Sequence, residues 1–217
     1  AVHSFCHCLP QKWHLMSVML SATSCLDWIC TITNNSIEDT LINIENFSLN
    51  LQEVSEAPFF LPYMTGERTP HNDPHIRGSF HSLKTATNAT ALQYAVIEGI
   101  SFGILDGVNS IKIVNNNFTD IFMVGGGSRS SFWITLLATM LNKKLSLCDQ
   151  SEFGAALGVA RLAMFVDNEI SDKNSIISKI KIKNTFNPNE KMFAILEKRY
   201  QLWKNIYTSN KNLNYTL

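Results

Sequence analysis

No self-contained catalytic signature stands in this sequence. It lacks a Gly-x-Ser-x-Gly elbow for a serine nucleophile, a His-Glu-x-x-His pair for zinc, and a Gly-Lys-Thr phosphate loop. Their absence excludes the hydrolases and nucleotidases in which one short motif carries the chemistry. A charge excess is missing too: 18 Lys+Arg face 18 Asp+Glu, so no net field recruits nucleic acid or an anionic membrane. The cysteines, Cys6, Cys8, Cys25, Cys30 and Cys148, are odd in number and follow neither a disulfide framework nor zinc spacing. A reducing compartment, the cytoplasm, is the expectation. The chain opens on Ala1-Val-His-Ser-Phe5 with no basic n-region and no initiator Met, which argues against a signal peptide and for a missing natural start. The most apolar run, Leu15 to Ile32, is barely long enough to span a bilayer and is interrupted by Ser17, Ser21, Thr23, Ser24 and Asp27. It reads as a packed helix.

What is present is ordinary globular material, 45% hydrophobic and 17% charged over 217 residues, enough for one sizeable domain or two small ones. The most informative stretch is Ile121-Phe-Met-Val-Gly-Gly-Gly-Ser-Arg-Ser-Ser-Phe-Trp133. Four apolar residues bounded by glycine suit a buried strand, and Phe132, Trp133, Leu136, Leu137, Met140 and Leu141 recur behind it at helical spacing. Glycines let a backbone approach a ligand closely, and the amides opening the helix, with Ser128 or Ser130 as cap, make a donor-rich end. A strand-to-helix turn also needs glycine for geometry alone, and both readings stay open on the residues.

Along the chain, residues 2–8 and 13–18 predict two strands around Pro10-Gln-Lys12, hence a hairpin. A helix from about Met19 to Ile32 follows, then a second from Ser36 to Glu56 with Asn35 and Glu38 as a capping pair. From Pro58 to Gly78 four prolines and two glycines forbid a regular helix, and a long ordered loop is usually functional. A helix over Asn88 to Val114 carries Gly99, Gly103 and Gly107 at every fourth position, a groove for close backbone packing, while Glu98 and Asp106 argue against a membrane helix. Lys144 to Cys148 and Phe153 to Ala163 predict a second strand-helix pair whose small-residue face implies close approach to a sheet or helix. Residues 167–187 read as a surface connection, Asn187 to Tyr207 as a terminal helix, and the last residues should fray.

Metal chemistry finds no footing. On a strand Cys6 and Cys8 point one way and His3 and His7 the other, so with His14 they read as hairpin residues. His71, His75 and His81 lack a helical metal pair, and Glu67-Arg68 reads as an ion pair or loop brace more readily than as acid-base machinery. A dinucleotide-binding module would want an acidic residue about twenty positions after the glycines. Asp149 stands near there, but the Gly-x-Gly-x-x-Gly spacing is not met.

Taken together, the motifs resemble the FGGY carbohydrate kinase family. Phe60-Leu-Pro-Tyr-Met-Thr-Gly-Glu-Arg-Thr-Pro-His-Asn-Asp-Pro74 with Arg77-Gly78 is similar to a loop of the members that act on xylulose, as is His3-Ser-Phe-Cys-His7 with Trp13-His-Leu-Met16. Val124-Gly-Gly-Gly-Ser-Arg-Ser130 with Trp133 resembles the family's adenosine motif, and Gly154-Ala-Ala-Leu-Gly-Val-Ala-Arg161 its later connecting helix. The likeness runs from about residue 1 to 165 and weakens through the Asn- and Lys-rich tail. It implies an α/β fold of the ribonuclease H-like, actin-like ATPase class, a mixed sheet with packed helices, of which residues 1–217 form the carboxy-terminal domain, truncated at its start, with a divergent tail over 167–217.

By the same resemblance the complete enzyme phosphorylates xylulose with ATP and Mg2+. Nucleotide contact falls on Gly125, Gly126 and Gly127, with Ser130 near the adenine edge, and Glu67 and Arg68 face the interdomain cleft. The base, the sugar ligands, the phosphate motifs and the metal site all belong to residues that would precede this chain, so alone it is expected to be inactive. Its implied partners are ATP, xylulose and an amino-terminal kinase domain, with a homodimer open to test and neither nucleic acid nor membrane expected. A non-catalytic remnant with residual nucleotide binding, or a family member acting on another sugar or polyol, are the alternatives.

Overall fold

The computed structural model describes residues 2–115, 117, 119–166 and 181–211, which group into two compact units, one from 1–118 with 190–217 and one from 119–189. The first unit is organised around a long helix. In chain order it contains β1 (His3–Cys6), β2 (Trp13–Met16), α1 (Thr23–Thr33), α2 (Ile37–Ser48), α3 (Leu51–Glu56), β3 (Phe59–Leu61), β4 (Ser79–His81) and α4 (Ala89–Val114). The second unit holds β5 (Phe122–Met123), α5 (Ser131–Leu141), β6 (Leu145–Cys148), α6 (Gly154–Val166) and β7 (Ile182–Phe186), after which α7 (Glu190–Lys211) returns to the first.

Asn88 starts α4 by accepting the Ala91 amide at 2.9 Å, the bond that a helix needs to satisfy its first free donors. From Tyr94 to Gly103 every residue of α4 is buried, as helices do that are wrapped on all sides. The helix has the length and apolarity of a membrane span, yet 78% of its most apolar stretch is buried inside the protein. It is a core helix. Gly99 shows why the expected groove exists: a Cβ there would overlap the Phe60 carbonyl oxygen, so β3 crosses the helix at a distance that only glycine permits.

Two charges buried in this core need partners, because an unpaired buried ion costs several kcal/mol (~3 or more). Arg199 of α7 donates Nε to Glu98 Oε1 at 2.7 Å and Nη2 to Oε2 at 2.6 Å. Its other donors reach the carbonyls of Ser55 at 3.2 Å, Ala57 at 3.0 Å and Pro58 at 3.1 Å. A guanidinium has five N–H groups, and all of them are matched here. Burial pushes the Glu98 carboxyl up and Arg199 opposes the shift. One turn on, Trp203 donates its indole N–H to the Phe60 carbonyl at 2.7 Å, and the Tyr200 hydroxyl donates to Asp106.

Several boundaries differ from the sequence expectation. Helix α1 begins at Thr23, not near Met19, because residues 18 to 20 are tied to a distant loop: the Val18 amide is bonded to Thr69 Oγ1 at 2.9 Å and the Leu20 amide to Glu67 at 3.0 Å. Ser36, not Asn35, caps α2 by accepting the Asp39 amide at 3.0 Å. The Ser36–Glu56 helix is broken after Ser48, where Asn50 turns its side chain onto the Gln52 and Glu53 amides and starts α3. Asparagine competes with the helix in this way because its side chain mimics a backbone acceptor. The 58–78 stretch also holds β3, paired antiparallel with β4 (Phe59 with His81, Leu61 with Ser79), beneath an aromatic layer of Trp28, Phe60 and Phe80.

In the second unit β5 runs parallel to β6, and β6 antiparallel to β7, giving the sheet order β5-β6-β7. The strand before the glycines is not buried as expected: it has two residues, with Phe122 37% and Val124 56% exposed. Helix α6 also departs from expectation, since none of its described residues is buried and a Cβ on Gly158 would meet nothing within 4 Å. An Ala/Gly face permits close packing but offers little apolar area to drive it. Residues 167–180, expected to be a surface connection, lie outside the described residues, as do 212–217, but Ile182–Phe186 is strand β7. It is an exposed edge whose Lys and Asn content masked it in sequence and blunts further pairing.

Removing one partner of the buried pair tests its weight. Arg199→Ala should lower the unfolding free energy by about 3–5 kcal/mol in urea denaturation, through an uncompensated Glu98. A loss below about 1 kcal/mol, the level of a surface pair, would contradict a core role.

Candidate functional site

The glycine turn is built by the strand before it and the helix after it. Gly125 sits at φ 83°, ψ −171°, a region that side chains disfavour, which swings the chain out of β5. Its amide donates to the Ser151 carbonyl at 3.0 Å, and its carbonyl accepts from the Ser128 amide at 3.0 Å and the Ser128 hydroxyl at 2.7 Å. A single 3-10 turn, Gly126–Arg129, then leads to Ser130, whose Oγ accepts the Trp133 amide at 3.2 Å and caps α5. Of the two serines considered as caps, Ser130 is the cap and Ser128 fastens the turn.

The three glycines are not equivalent. A Cβ on Gly125 or Gly126 would meet nothing within 4 Å, whereas one on Gly127 would lie 3.1 Å from both Met123 Cε and Trp133 Cζ3. Gly127 is glycine for packing, and the first two leave open ground above the backbone. That ground lies at the carboxyl end of the parallel pair β5–β6, where open α/β sheets place their ligands. A cavity of about 400 Å³ adjoins it, lined by Phe122, Val124, Leu157 and Gly154, by Cys148 to Ser151, and by Arg161 and Lys181. Its size fits a small-molecule site, and its mixture of apolar wall, backbone groups and cations suits a ligand with a flat ring and an anionic end. Burial, and secondarily Asp149, push the Cys148 thiol up.

In the first unit, Glu67 and Arg68 lie on the loop between β3 and β4. Glu67 is 2% exposed and its Oε1 accepts the amides of Leu20 at 3.0 Å and Arg68 at 2.7 Å, so it braces backbone and makes no ion pair with the exposed Arg68 side chain. Burial raises its carboxyl to about 7 despite those two amides. His71 stacks on Tyr207 with centroids 3.4 Å apart and meets the Tyr63 hydroxyl at 3.1 Å, and burial depresses it to about 4. Burial works against ionisation of Asp73, but the amides of His75 and Ile76 and the Tyr207 hydroxyl hold its carboxyl below the usual range. Among the described residues, no group of three His, Cys, Asp or Glu is placed to hold a metal ion, and Mg2+ is assigned to none of them.

The structure thus gathers Gly125, Gly126, Gly127 and Ser130 on one turn and sets Glu67 and Arg68 on a separate loop. Sequence reading missed Ser151, whose carbonyl accepts the Gly125 amide because β6 lies beside β5, and Lys181, whose carbonyl accepts the Asp149 amide at 2.9 Å in the wall of the cavity; Asp149 enters the sequence reading only as a dinucleotide-binding acid. The available signal was the second strand-helix pair itself: a parallel neighbour brings its own carboxyl end to the same edge.

Residues 1–166 match the model of the FGGY family of carbohydrate kinases, C-terminal domain. The chain belongs to this family. The xylulose kinase of Escherichia coli (strain K12) is 36% identical over 207 residues, which cover 95% of this chain and 42% of that protein. Among solved structures, a xyloylose kinase from Brucella ovis superposes with a TM-score of 0.85 at 36% identity, over 98% of this chain and 43% of its own. A ligand-bound xylulose kinase from Lactobacillus acidophilus gives a TM-score of 0.77 at 25% identity, over 97% and 43%. The chain therefore spans less than half the length of these relatives, and the fold is the mixed α/β, actin-like ATPase class that the motifs implied.

Glu67 makes stability depend on pH in a defined direction. Its carboxyl is raised from 4.5 to about 7 in the folded chain, so the folded state holds more protons in that window and loses stability as pH rises through it. Denaturant titrations from pH 4.5 to 7 should show the wild type falling relative to Glu67→Gln, which cannot ionise. A wild-type gain over the variant across that window would mean that the two amides outweigh burial.

Proposed function

We propose that this chain is the carboxy-terminal, nucleotide-binding portion of an ATP-dependent kinase that converts D-xylulose to D-xylulose 5-phosphate. The observation that carries the reading is the open Gly125-Gly126 turn at the end of a parallel pair beside a 400 Å³ cavity. It is supported by 36% identity to a xylulose kinase over 95% of the chain. Gly125 and Gly126 offer backbone to the nucleotide, Gly127 seats the turn on Trp133, and the Ser130 hydroxyl, having accepted the helix cap, keeps its proton to donate toward the adenine edge. Mg2+ bound with ATP would supply neutralisation of charge on the phosphoryl oxygens, and none of the described residues would hold it.

Phosphoryl transfer also needs a base that orients the sugar hydroxyl. The aspartates nearest to that role by burial are already committed, Asp106 to Tyr200 and Asp73 to Tyr207. The base belongs to the amino-terminal kinase domain of the complete protein, and this chain acts as the other half of a two-domain enzyme, a homodimer by expectation. Cys25 and Cys30, buried as thiols, suit a reducing cytoplasm.

Two measurements test the reading. The complete protein should phosphorylate xylulose from ATP while the isolated chain gives no transfer and binds ATP weakly in calorimetry. In the complete protein, Gly126→Val should raise the KM for ATP by about tenfold or more by filling the open ground. Its effect on stability should stay within about 0.5 kcal/mol, because apart from its own chain neighbours no atom lies within 4 Å of the added Cβ. An unchanged KM would remove the turn from the nucleotide site.

A further inference from the structure

The loop from Glu67 to Asp73 is fastened from every side, yet it exposes one uncommitted cation. Glu67 and Asp73 exchange both backbone hydrogen bonds, at 2.9 and 2.8 Å, and the Asn72 amide closes onto the Arg68 carbonyl at 2.6 Å. Thr69 is tied to Val18 by its amide at 3.0 Å and its hydroxyl oxygen at 2.9 Å. His71 is stacked on Tyr207, and the buried Glu67 carboxylate accepts the Arg68 amide at 2.7 Å. The backbone of Arg68 is thereby fixed, while its side chain is exposed and its guanidinium has no hydrogen bond or ion pair among the described residues.

The carboxylates that could neutralise it are occupied. Glu67 faces inward onto two amides, and Asp73 is held by His75, Ile76 and Tyr207. The next arginine along the chain, the exposed Arg77, is turned back onto the carbonyls of Pro74 and Ile76, both at 2.9 Å. A planar fork of donors on a tied-down backbone, with no counter-charge among the described residues, is suited to bidentate recognition of a phosphate, since little entropy is lost when the anion arrives.

We infer that Arg68 binds the phosphate of the phosphorylated sugar, and that Glu67 is a positioning residue that holds Arg68 in place, neither acid nor base. The inference rests on the kinase reading above and names a residue that the product, but not the uncharged sugar, would need.

The test uses the complete protein that carries this chain, with Arg68→Gln, Arg68→Lys, Glu67→Gln and Glu67→Ala, and two probes, xylulose 5-phosphate and inorganic phosphate, titrated by calorimetry. Arg68→Gln should weaken binding of the sugar phosphate by about ten- to hundredfold, the scale of hydrogen bonds to a charged group. Arg68→Lys should recover part of it, and the KM for uncharged xylulose should move less than about twofold. Inorganic phosphate weakened in parallel assigns the contact to the phosphate alone, and weakening of the sugar phosphate only assigns it to the ester seated by its sugar. Glu67→Gln, which keeps an oxygen for both amides, should retain more phosphate affinity than Glu67→Ala. Sugar-phosphate affinity unchanged within about twofold in Arg68→Gln, or a parallel loss of xylulose KM, would overturn the assignment to Arg68. Equal losses in the two Glu67 variants would overturn the positioning role. A wild type that binds phosphate but turns over no xylulose would sink the kinase reading alone, with the titrations still judging Arg68.

Discussion

The first unit depends on one guanidinium. Arg199 ties α7 to α4 through Glu98 and ties both to the segment entering β3 through three backbone carbonyls. Neither the ion pair nor the carbonyl contacts would survive alone in an apolar core: the pair would leave three donors unmatched, and the carbonyls would lack a donor reaching that far. Together they close the hydrogen-bonding inventory of a buried charge, which is the condition under which such a charge is tolerated. The same face of α7 continues with Trp203 on the Phe60 carbonyl, Tyr207 on His71 and Asp73, and Asn210 on Ser79 at 2.6 Å. Four side chains on one stripe hold the whole path from Ser55 to His81, so the loop bearing Glu67 and Arg68 inherits its order from a helix far away in sequence.

The sequence made some of this legible. The extent of α4 was readable to within one residue, because apolar spacing, the Asn88 cap and the glycine series all point to the same helix. The hairpin of β1 and β2, which pair antiparallel from His3 with Met16 to Cys6 with Trp13, and the unit of strand, glycine turn and helix were readable for the same reason. What escaped were features decided by distant partners. The late start of α1 is set by Thr69 and Glu67, forty or more residues away, and the pairing of β3 with β4 spans a stretch whose prolines announced only a loop. Helix α6 shows the opposite error: small residues signal that packing is permitted, and among the described residues of this unit nothing makes use of the permission.

At the site the residue types were visible but their division of labour was not. Three consecutive glycines look alike in sequence, and only the positions of Met123 and Trp133 separate Gly127 from its neighbours. Glu67 and Arg68 are adjacent and opposite in charge, which suggests a pair. The strand-like bridge at Glu67 sends the two side chains apart, one into the core and one to solvent. Spacing along the chain reports which groups are close; the direction of each side chain, which decides chemistry, comes from the backbone it stands on.

The family match ends at residue 166, but Arg199 lies beyond it. A boundary drawn by sequence similarity therefore cuts through a folding unit, and a fragment trimmed there would strand Glu98 without its counter-ion. The order of synthesis has the same consequence. A growing polypeptide lays down α4 first and must then make residues 119–189 before α7 exists. Until α7 has been made, the Glu98 carboxylate lacks its guanidinium and the Phe60 carbonyl its indole donor, so the first unit passes through synthesis with core polar groups unmatched.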